Sequence, residues 1–347
     1  EAVLDAIAAR DVTVVRLAEN SGIAAALNAG LEYALAQGCD AAVTFDQDSM
    51  VEPGFIGALE QAHKAARERG HHPGPVVPEY FAGVSQVHSR GSDDTLFARH
   101  SIQSGMLIDR TVLLAVGLLR EDLFIDLVDT EFELRCHARG FASIAAPGLT
   151  LAHSLGRRYE RRAFGRRVSL PGIPPVVTLS TPFRYYYRVR NRIVINREFG
   201  RKFFGWTLRD TVLELLHFSS VLTLARPRGA MWSVYRAAWR DARRGKMGRM
   251  PDGPAGGLIG TGRGAWVASS RNTRSAGTIS TASADPSAAA TPSAMIGAES
   301  TVDPAIIVVS PTIAAVMVAA RTVRYRCSGM SRLRMGGVAV EMKKNAN

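Results

Sequence analysis

The chain has 347 residues, 46% of them hydrophobic and 7% aromatic, so it can bury the core of one large or two ordinary domains. Its formal net charge of +12 predicts an anionic partner: nucleic acid, anionic lipid or a phosphorylated substrate. Three scattered cysteines, Cys39, Cys136 and Cys327, form neither a disulfide framework nor a metal-binding pattern, which favours a reducing compartment.

Strand and helix patterns alternate at the start of the chain. Residues 12–17 are β-branched and predict a strand, and residues 22–37 carry leucines at helical spacing before Gly38. Residues 41–45 predict a buried parallel strand, and Pro53 opens a further helix. This alternation is typical of an α/β sheet with right-handed crossovers.

The next segment, residues 71–100, is rich in proline, glycine and polar residues. We expect a long loop there, with one short strand near 76–77. Regular patterns then resume. The elements predicted beyond this loop are a strand at 104–108, a short helix at 110–116, a helix at 129–139, and strands at 141–146 and 149–153.

Arginine and aromatic residues dominate from Gly156 onwards. They predict a basic helical region with helices at 182–197, 206–224 and 229–244. Past 250 the composition turns to Gly, Ala, Ser and Thr, which predicts disorder, and the apolar stretch 306–320 is too short to span a membrane. The predicted domains are 1–155, an α/β catalytic domain; 156–250, a basic helical region on the acceptor or membrane side; and 251–347, a disordered tail.

Two carboxylates, Asp46 and Asp48, follow the buried strand at 41–45. Ligands bind outside the carboxyl ends of strands in open α/β sheets, and a hard cation takes one or two carboxylates along with substrate phosphates. The pair therefore suggests a metal–diphosphate site. A solvated acidic turn that caps the helix after Pro53 is the alternative.

A second acidic cluster contains Asp126, Asp129, Glu131 and Glu133. Asp129 is predicted at a helix start, where the helix dipole would keep it ionised and suited to act as a general base. Helix capping and surface charge are the alternative. We expect Glu133 to be a solvated partner of a nearby arginine.

Two further features leave several interpretations open. His153 ends an apolar strand and could be a structural residue, a metal ligand or a phosphate contact. The arginine–tyrosine stretch could grip a diphosphate, lie on an anionic membrane or bind nucleic acid. No nucleic-acid-binding signature supports the last option. The chain also lacks Walker and GxGxxG loops, which argues against nucleotide hydrolysis and dinucleotide redox chemistry.

Several motifs, taken together over roughly residues 12–197, resemble family 2 glycosyltransferases with the GT-A fold. They are Asn20-x-Gly22-Ile23-Ala24-Ala25-Ala26-Leu27-Asn28-x-Gly30, Phe45-Asp46-Gln47-Asp48-Ser49, Ser104-Gly105-Met106-Leu107-Ile108, Phe124-Ile125-Asp126-x-Val128-Asp129-Thr130-Glu131-Phe132-x-Leu134-Arg135, His153-x-Leu155-Gly156 and Tyr187-Arg188-x-Arg190-Asn191. The acidic motifs look like those of the bacterial rhamnosyltransferase branch. The resemblance implies a Rossmann-like mixed sheet with helices on both faces.

The resemblance also implies an inverting, metal-dependent transfer from a nucleotide sugar, dTDP-L-rhamnose, to a glycan or lipid-linked glycan, with Mg²⁺ or Mn²⁺ as cofactor. Asp129 matches the base, and Glu131 would support it. The residues expected at the donor are Asn20, Gly22, Asn28, Asp46, Gln47 and Asp48. The metal ligands implied are Asp46, Asp48 and His153. We expect the acceptor beside Ser104, Gly105 and Asp126.

One departure concerns the start of the chain, since the family's opening strand and nucleotide-binding turns do not occur before Val12. We therefore expect the first strand and helix to be missing and the activity of the chain to be poor. The expected location is cytoplasmic, with peripheral contact to the inner face of the plasma membrane. The alternatives are another donor, UDP-galactofuranose or UDP-N-acetylglucosamine, and a non-catalytic basic module.

Overall fold

The computed structural model describes residues 13–46, 49–153, 158–160, 162–163, 166–167, 176–224, 228–250, 306–309 and 316–321. For residues 158–178 and 306–321 only the backbone is described. The described strands are β1 (Thr13–Arg16), β2 (Ala41–Phe45), β3 (Pro73–Phe81), β4 (Val84–Ser85), β5 (Val87–Arg90), β6 (Leu96–Ala98), β7 (Met106–Asp109), β8 (Ala142–Leu151), β9 (Arg158–Glu160), β10 (Arg162–Ala163), β11 (Arg166–Arg167), β12 (Val176–Thr178), β13 (Ile306–Val309) and β14 (Val316–Arg321). The described α-helices are α1 (Ile23–Ala36), α2 (Phe55–Glu68), α3 (Arg110–Val116), α4 (Val128–Ala138), α5 (Pro182–Phe199), α6 (Phe204–Leu224) and α7 (Arg228–Arg243).

Ten of the described strands form one mixed sheet in the order β1-β13-β14-β2-β7-β3-β8-β6-β5, with β4 paired to β3. Strand β13 is parallel to β1, whereas β14 is antiparallel to both β13 and β2. Strands β1 and β2 therefore run in the same direction and end at the same edge. The prediction that β2 lies between parallel neighbours was wrong, because β14 and β7 both pair with it antiparallel.

The tail contributes to this sheet. We predicted disorder for 251–347, yet β13 and β14 occupy the two positions between β1 and β2. Both segments are apolar and β-branched, which suits strands that pair on both edges. The remaining residues of this tail lie outside the described part of the chain.

Helices cover both faces of the sheet, as predicted. Side chains alternate along β2: Ala42 packs in one core with Leu27 of α1, whereas Val43 and Phe45 pack in another with Leu59 of α2. The period of two along a strand sends neighbouring residues to opposite faces. Helices α1, α3 and α4 thus share one layer, and α2 covers the other face.

The expected long loop at 71–100 was the clearest error in the predicted fold, because β3 to β6 fill most of it. Strand β3 pairs with β8 through two register shifts, between Pro73 and Val76 and between Pro78 and Tyr80. Proline lacks the N–H that a regular ladder requires, so it is tolerated where pairing is interrupted. These prolines led us to predict a loop.

Helices α5 to α7 form a third layer, and their predicted bounds agree with the structure within two residues. Tyr185, Tyr186 and Tyr187 are buried, and they pack with Phe218 of α6 and Met231 of α7. These three tyrosines of the arginine–tyrosine stretch are therefore core residues, and they do not form a surface. Among the described residues, no helix is long and apolar enough to cross a membrane.

Candidate active site

Asp46 stands at the exit of β2, where neighbouring side chains fix its position. Its backbone N–H donates to Ser104 Oγ at 3.1 Å, and its carboxylate accepts from Gln103 Nε2 at 3.2 Å. Its carbonyl accepts from the Ser49 N–H at 3.1 Å, which turns the chain at the strand end. Gln47 and Asp48 lie outside the described residues, so the proposed carboxylate pair stays a prediction.

The loop that precedes α4 has an unusual backbone. Phe124, Asp126 and Leu127 all have positive φ, at 66°, 63° and 63°. Such a conformation costs non-glycine residues on the order of 1–3 kcal/mol each and persists only where the surroundings enforce it. We call residues 124–127 the strained loop, and two neighbouring elements hold it.

Helix α5 holds the strained loop from one side. The Asn191 side-chain amide donates to the carbonyls of Leu123, Ile125 and Asp126, at 3.0, 2.9 and 2.8 Å. Arg190 is 1% exposed, and its Nη2 donates to the same Leu123 carbonyl and to the carbonyl of Asp122, just before the loop. Buried donors thus satisfy backbone acceptors that no regular element serves. The sequence alone assigned no role to Arg190 and Asn191, although both belong to one of the family-like motifs.

The start of α1 holds the strained loop from the other side. The Ile23 N–H donates to the Phe124 carbonyl at 2.8 Å. Gly22 has φ +93°, and a Cβ on it would lie 2.4 Å from that same oxygen. Asn20 Oδ1 accepts from the Gly22 N–H at 3.1 Å and so closes the turn before the helix. Asn20 and Gly22, which we predicted at the sugar-nucleotide donor, therefore lie beside the strained loop.

Asn28, the third residue predicted at the donor from this segment, has another environment. It is 3% exposed. Its Nδ2 donates to the Leu119 carbonyl and to Glu121, both at 2.8 Å, and its Oδ1 accepts from the Leu119 N–H at 2.9 Å. These bonds use the whole amide to join α1 to the segment before the strained loop.

Asp129 lies in the first turn of α4, and its carboxylate accepts from the Thr130 N–H at 2.7 Å. Burial raises its pKa, the Asp126 and Asp46 carboxylates add to that rise, and His100 opposes it. We expected the helix dipole to keep this group readily ionised. Burial and the neighbouring carboxylates instead raise its pKa and oppose ionisation. A carboxylate whose pKa is raised is the stronger base, which suits proton removal from a hydroxyl.

Arg184, in the first turn of α5, is the cation that faces these carboxylates. Its Nε lies 3.2 Å from both carboxylate oxygens of Asp126, and its Nη2 donates to one of them. Burial lowers its pKa, but the Asp126, Asp46 and Asp129 carboxylates together raise that pKa above its ordinary value. Three carboxylates and one half-exposed guanidinium thus converge at the sheet edge. The sequence pattern alone does not distinguish Arg184 from the other arginines of this region.

The two glutamates of α4 are both buried and have different partners. Glu131 is 2% exposed and binds Arg135 Nε with both oxygens, at 2.8 and 2.9 Å, so its described partner is an arginine. Glu133, which we expected to be solvated, is 0% exposed and accepts from the N–H groups of His100 and Ser101 and from the Ser101 hydroxyl. That interpretation of Glu133 was wrong.

Ser104 and Gly105, predicted at the acceptor, lie inside the protein. Ser104 is 0% exposed, and its hydroxyl serves Asp46 and hydrogen-bonds to Ser49. A Cβ on Gly105 would meet the Leu151 and Phe55 side chains at 3.0 and 3.1 Å. The Ser-Gly pair thus makes room for core packing beneath the strand exit.

His153 lies close to the segment that follows Asp46. Its ring centroid lies 4.9 Å from that of Phe81, with the two rings tilted by 32°, and the adjacent residue Ala152 forms a β-bridge with Met50. Among the described residues, no group of three or more His, Cys, Asp or Glu side chains is arranged to hold a metal ion.

The mixed sheet, the carboxylate at the strand exit and the acidic helix start facing it define a GT-A type of sugar-transferring enzyme. Residues 1–91 match the family model described as glycosyl transferase family 2. The chain is also 28% identical over 249 residues to the dTDP-rhamnosyl transferase RfbF of Shigella flexneri, a match that spans 68% of this chain and 80% of that protein. Residues 1–91 are thus similar to family 2 glycosyltransferases, and the longer match makes the chain rhamnosyltransferase-like.

Proposed function

We propose that the protein transfers L-rhamnose from dTDP-L-rhamnose to a hydroxyl of a cell-surface glycan or O-antigen intermediate, with inversion at the anomeric carbon. The observation that carries this proposal is the convergence of Asp46, Asp126 and Asp129 around Arg184. The similarity to the dTDP-rhamnosyl transferase of Shigella flexneri supports the choice of donor.

In this proposal Asp129 is the general base. The acceptor hydroxyl loses its proton to the Asp129 carboxylate as its oxygen bonds to the anomeric carbon, and the bond from that carbon to the diphosphate breaks on the opposite face. The nucleoside diphosphate leaves with the electron pair, which balances the step. Arg184 faces the same space and would neutralise part of the diphosphate charge.

Mg²⁺ or Mn²⁺ is the proposed cofactor. Asp46 at the strand exit, Asp48 and His153 would hold it: carboxylates are the donors that Mg²⁺ and Mn²⁺ prefer, and a neutral imidazole would complete the coordination. The β-bridge between Met50 and Ala152 supports this set, because it brings His153 beside the segment that follows Asp46. When bound, the metal would offset the charge that develops on the leaving diphosphate.

Calorimetric titration tests the proposal. dTDP-L-rhamnose is titrated with Mg²⁺ or Mn²⁺ and again with EDTA, beside UDP-galactofuranose and UDP-N-acetylglucosamine. Asp46→Asn is the test variant, and Asp94→Asn, at an exposed ion pair with Arg90, is its control. We expect metal-dependent binding of dTDP-L-rhamnose that Asp46→Asn abolishes and Asp94→Asn retains.

Other outcomes point to the alternatives. Tighter binding of a UDP-sugar would replace the donor and keep the reaction class. If no sugar nucleotide binds, a non-catalytic basic module becomes the better description. Binding to duplex DNA that weakens steeply with salt would favour the nucleic-acid form of that module.

A further inference from the structure

Helix α6 exposes an apolar face. Its residues Phe204, Leu208, Val212, Leu215 and Leu216 are between 39% and 66% exposed. They recur at helical spacing, so they lie on one side of a helix that is about 31 Å long. Of the exposed residues along this fully described helix, Arg209 alone is charged.

Helix α7 exposes a face that combines tryptophans with arginines, unlike the apolar face of α6. Trp232 and Trp239 are seven residues apart and are 53% and 52% exposed, so they lie on the same side of the helix. The other large side chains exposed along α7 are arginines, and every residue of this helix is described. They are Arg228, Arg236, Arg240 and Arg243.

The opposite faces of both helices are already used by the protein. Met231 and Val234 of α7 and Phe218 of α6 pack with the buried tyrosines of α5. The acid of α7, Asp241, is buried and accepts from the Tyr186 hydroxyl at 2.9 Å. The exposed faces are therefore not unfinished core, since each helix has its own separate core-facing side.

We propose that the exposed faces of α6 and α7 form a docking surface for an anionic lipid bilayer. Apolar side chains enter the boundary between headgroups and acyl chains, tryptophans prefer the same depth, and arginines pair with anionic headgroups. Charge decides against a second copy of the chain, because a symmetric contact would bring the arginines of α7 together. In the arginine–tyrosine stretch, for which membrane contact was one of three interpretations, Tyr185, Tyr186 and Tyr187 are buried in the core.

The placement of the surface has a consequence for access to the site. Helix α5 carries Arg184 at its first turn and packs against α7 by its buried tyrosines. The docking surface and the candidate site thus share one helical layer. This step rests on the proposed function: docking would bring the site to the membrane, where a lipid-linked acceptor is found.

Cosedimentation with vesicles tests the docking directly and does not depend on activity. Vesicles of phosphatidylglycerol and phosphatidylethanolamine are compared with vesicles of phosphatidylcholine. We expect binding to the anionic vesicles, a fall in affinity with salt, and a blue shift of tryptophan emission. Wild-type protein that fails to bind anionic vesicles, or that binds neutral ones equally well, overturns the proposal.

Paired variants separate the two faces. Leu208→Ser with Leu215→Ser should weaken binding by at least about tenfold through lost apolar burial. Arg236→Ser with Arg240→Ser should weaken it by about 25-fold and reduce its salt dependence. Leu114→Ser is the matched control, because Leu114 is 66% exposed on α3, outside this layer.

Circular dichroism and thermal melting check that each variant is folded. Wild-type affinity in a folded Leu208→Ser/Leu215→Ser protein would exclude the α6 face from lipid contact. Light scattering addresses the competing occupant. A dimer that this double variant dissociates, together with no vesicle binding, would make the surface an interface between copies and refute lipid docking.

Discussion

The side-chain amide of Asn191 lies 2.8 Å from the carbonyl oxygen of Asp126, and this bond joins the helical layer to the acidic cluster. Two more bonds from the same amide reach the carbonyls of Leu123 and Ile125. Each such bond contributes roughly 1 kcal/mol, whereas three positive-φ residues cost on the order of 1–3 kcal/mol each. The loop that carries Asp126 therefore depends on its neighbours for its shape.

Replacing Asn191 with alanine should release this loop. The variant takes this donor from the Ile125 and Asp126 carbonyls, while the Leu123 carbonyl keeps Arg190, so we expect a loss of about 2–4 kcal/mol in the free energy of unfolding. We also expect donor turnover to fall by more than the folded fraction does, because Asp126 and Asp129 lose their fixed positions. Urea titration measures the loss of stability. A turnover assay, expressed per folded molecule, measures the loss of activity separately.

Asn196→Ala is the control for that experiment. Asn196 lies on the same helix and donates to Thr211 Oγ1 at 2.7 Å, away from the strained loop. It should lose stability with unchanged turnover per folded molecule. Equal turnover in the two variants would show that Asn191 has only a structural role.

Gly22 is predicted to tolerate no side chain. The Cβ of Gly22→Ala would lie 2.4 Å from the Phe124 carbonyl oxygen, a distance that backbone atoms cannot accept without moving. We expect a loss of more than about 2 kcal/mol and a displaced strained loop. Gly38→Ala is the matched control: it has φ +76° but nothing within 4 Å, so it isolates the cost of the backbone conformation, about 1 kcal/mol. Similar losses in both variants would mean that the contact with Phe124 does not matter.

Asp129 should set the acid limb of the pH–rate profile. The carboxylate must be ionised to accept a proton, so kcat/KM should rise with pH through a pKa above the usual value of about 3.9, since burial and the neighbouring carboxylates raise it. Asp129→Asn should lower kcat by about 10²-fold or more and remove that limb. An acid limb that stays in the variant would assign it to another group.

The stability of Asp129→Asn gives an independent check of the raised pKa, because the substitution should increase stability at high pH although it lowers activity. A carboxyl group whose pKa is raised on folding binds its proton more tightly in the native state, so its ionised form opposes folding. The penalty is absent below the unfolded pKa and complete above the folded one. The asparagine variant should therefore equal wild type only below the ordinary carboxyl pKa of about 3.9, and it should exceed wild type in stability at pH 8, as thermal melting can measure.

Particular residues show how far the sequence predicts this molecule. The helices of the third layer followed from local periodicity, which burial on one face imposes. The strand at Ala41–Phe45 followed from its mostly apolar run, which burial on both faces requires. Strand β3 did not, because its pairing with β8 is set by a segment some 70 residues away, and its prolines indicate a loop when considered alone.

The candidate site divides in the same way. Asp46 and Asp129 could be named because each follows a local pattern, a strand exit and a helix start. The pairing of Arg184 with Asp126 joins residues 58 positions apart, and no spacing rule links them. Glu131 and Glu133 differ by the side of α4 on which each lies, and an acidic motif does not reveal which of the two faces Arg135.

Glu133 is expected to matter for stability although it lies away from Arg184. Glu133→Ala removes the acceptor for two backbone N–H groups and the Ser101 hydroxyl inside the protein. Buried donors without partners cost about 1–3 kcal/mol, so we expect a loss of about 3 kcal/mol by urea unfolding. Glu68→Ala, at an exposed ion pair with Lys64, should change stability by less than about 0.5 kcal/mol. A loss as small at Glu133 as at Glu68 would contradict its role as a buried acceptor.

The last prediction is that the tail strands β13 and β14 contribute to the stability of the sheet. Val318 of β14 pairs with Thr44 of β2, and β14 lies between β13 and β2 in the sheet. Proline at this position lacks a ladder N–H and its ring crowds the neighbouring strand, so Val318→Pro should lower the free energy of unfolding by about 3 kcal/mol. His88→Pro is the control, because His88 is exposed at a register shift in the outermost strand β5, where proline is tolerated. If urea unfolding finds Val318→Pro as stable as His88→Pro, the tail does not complete the sheet in solution.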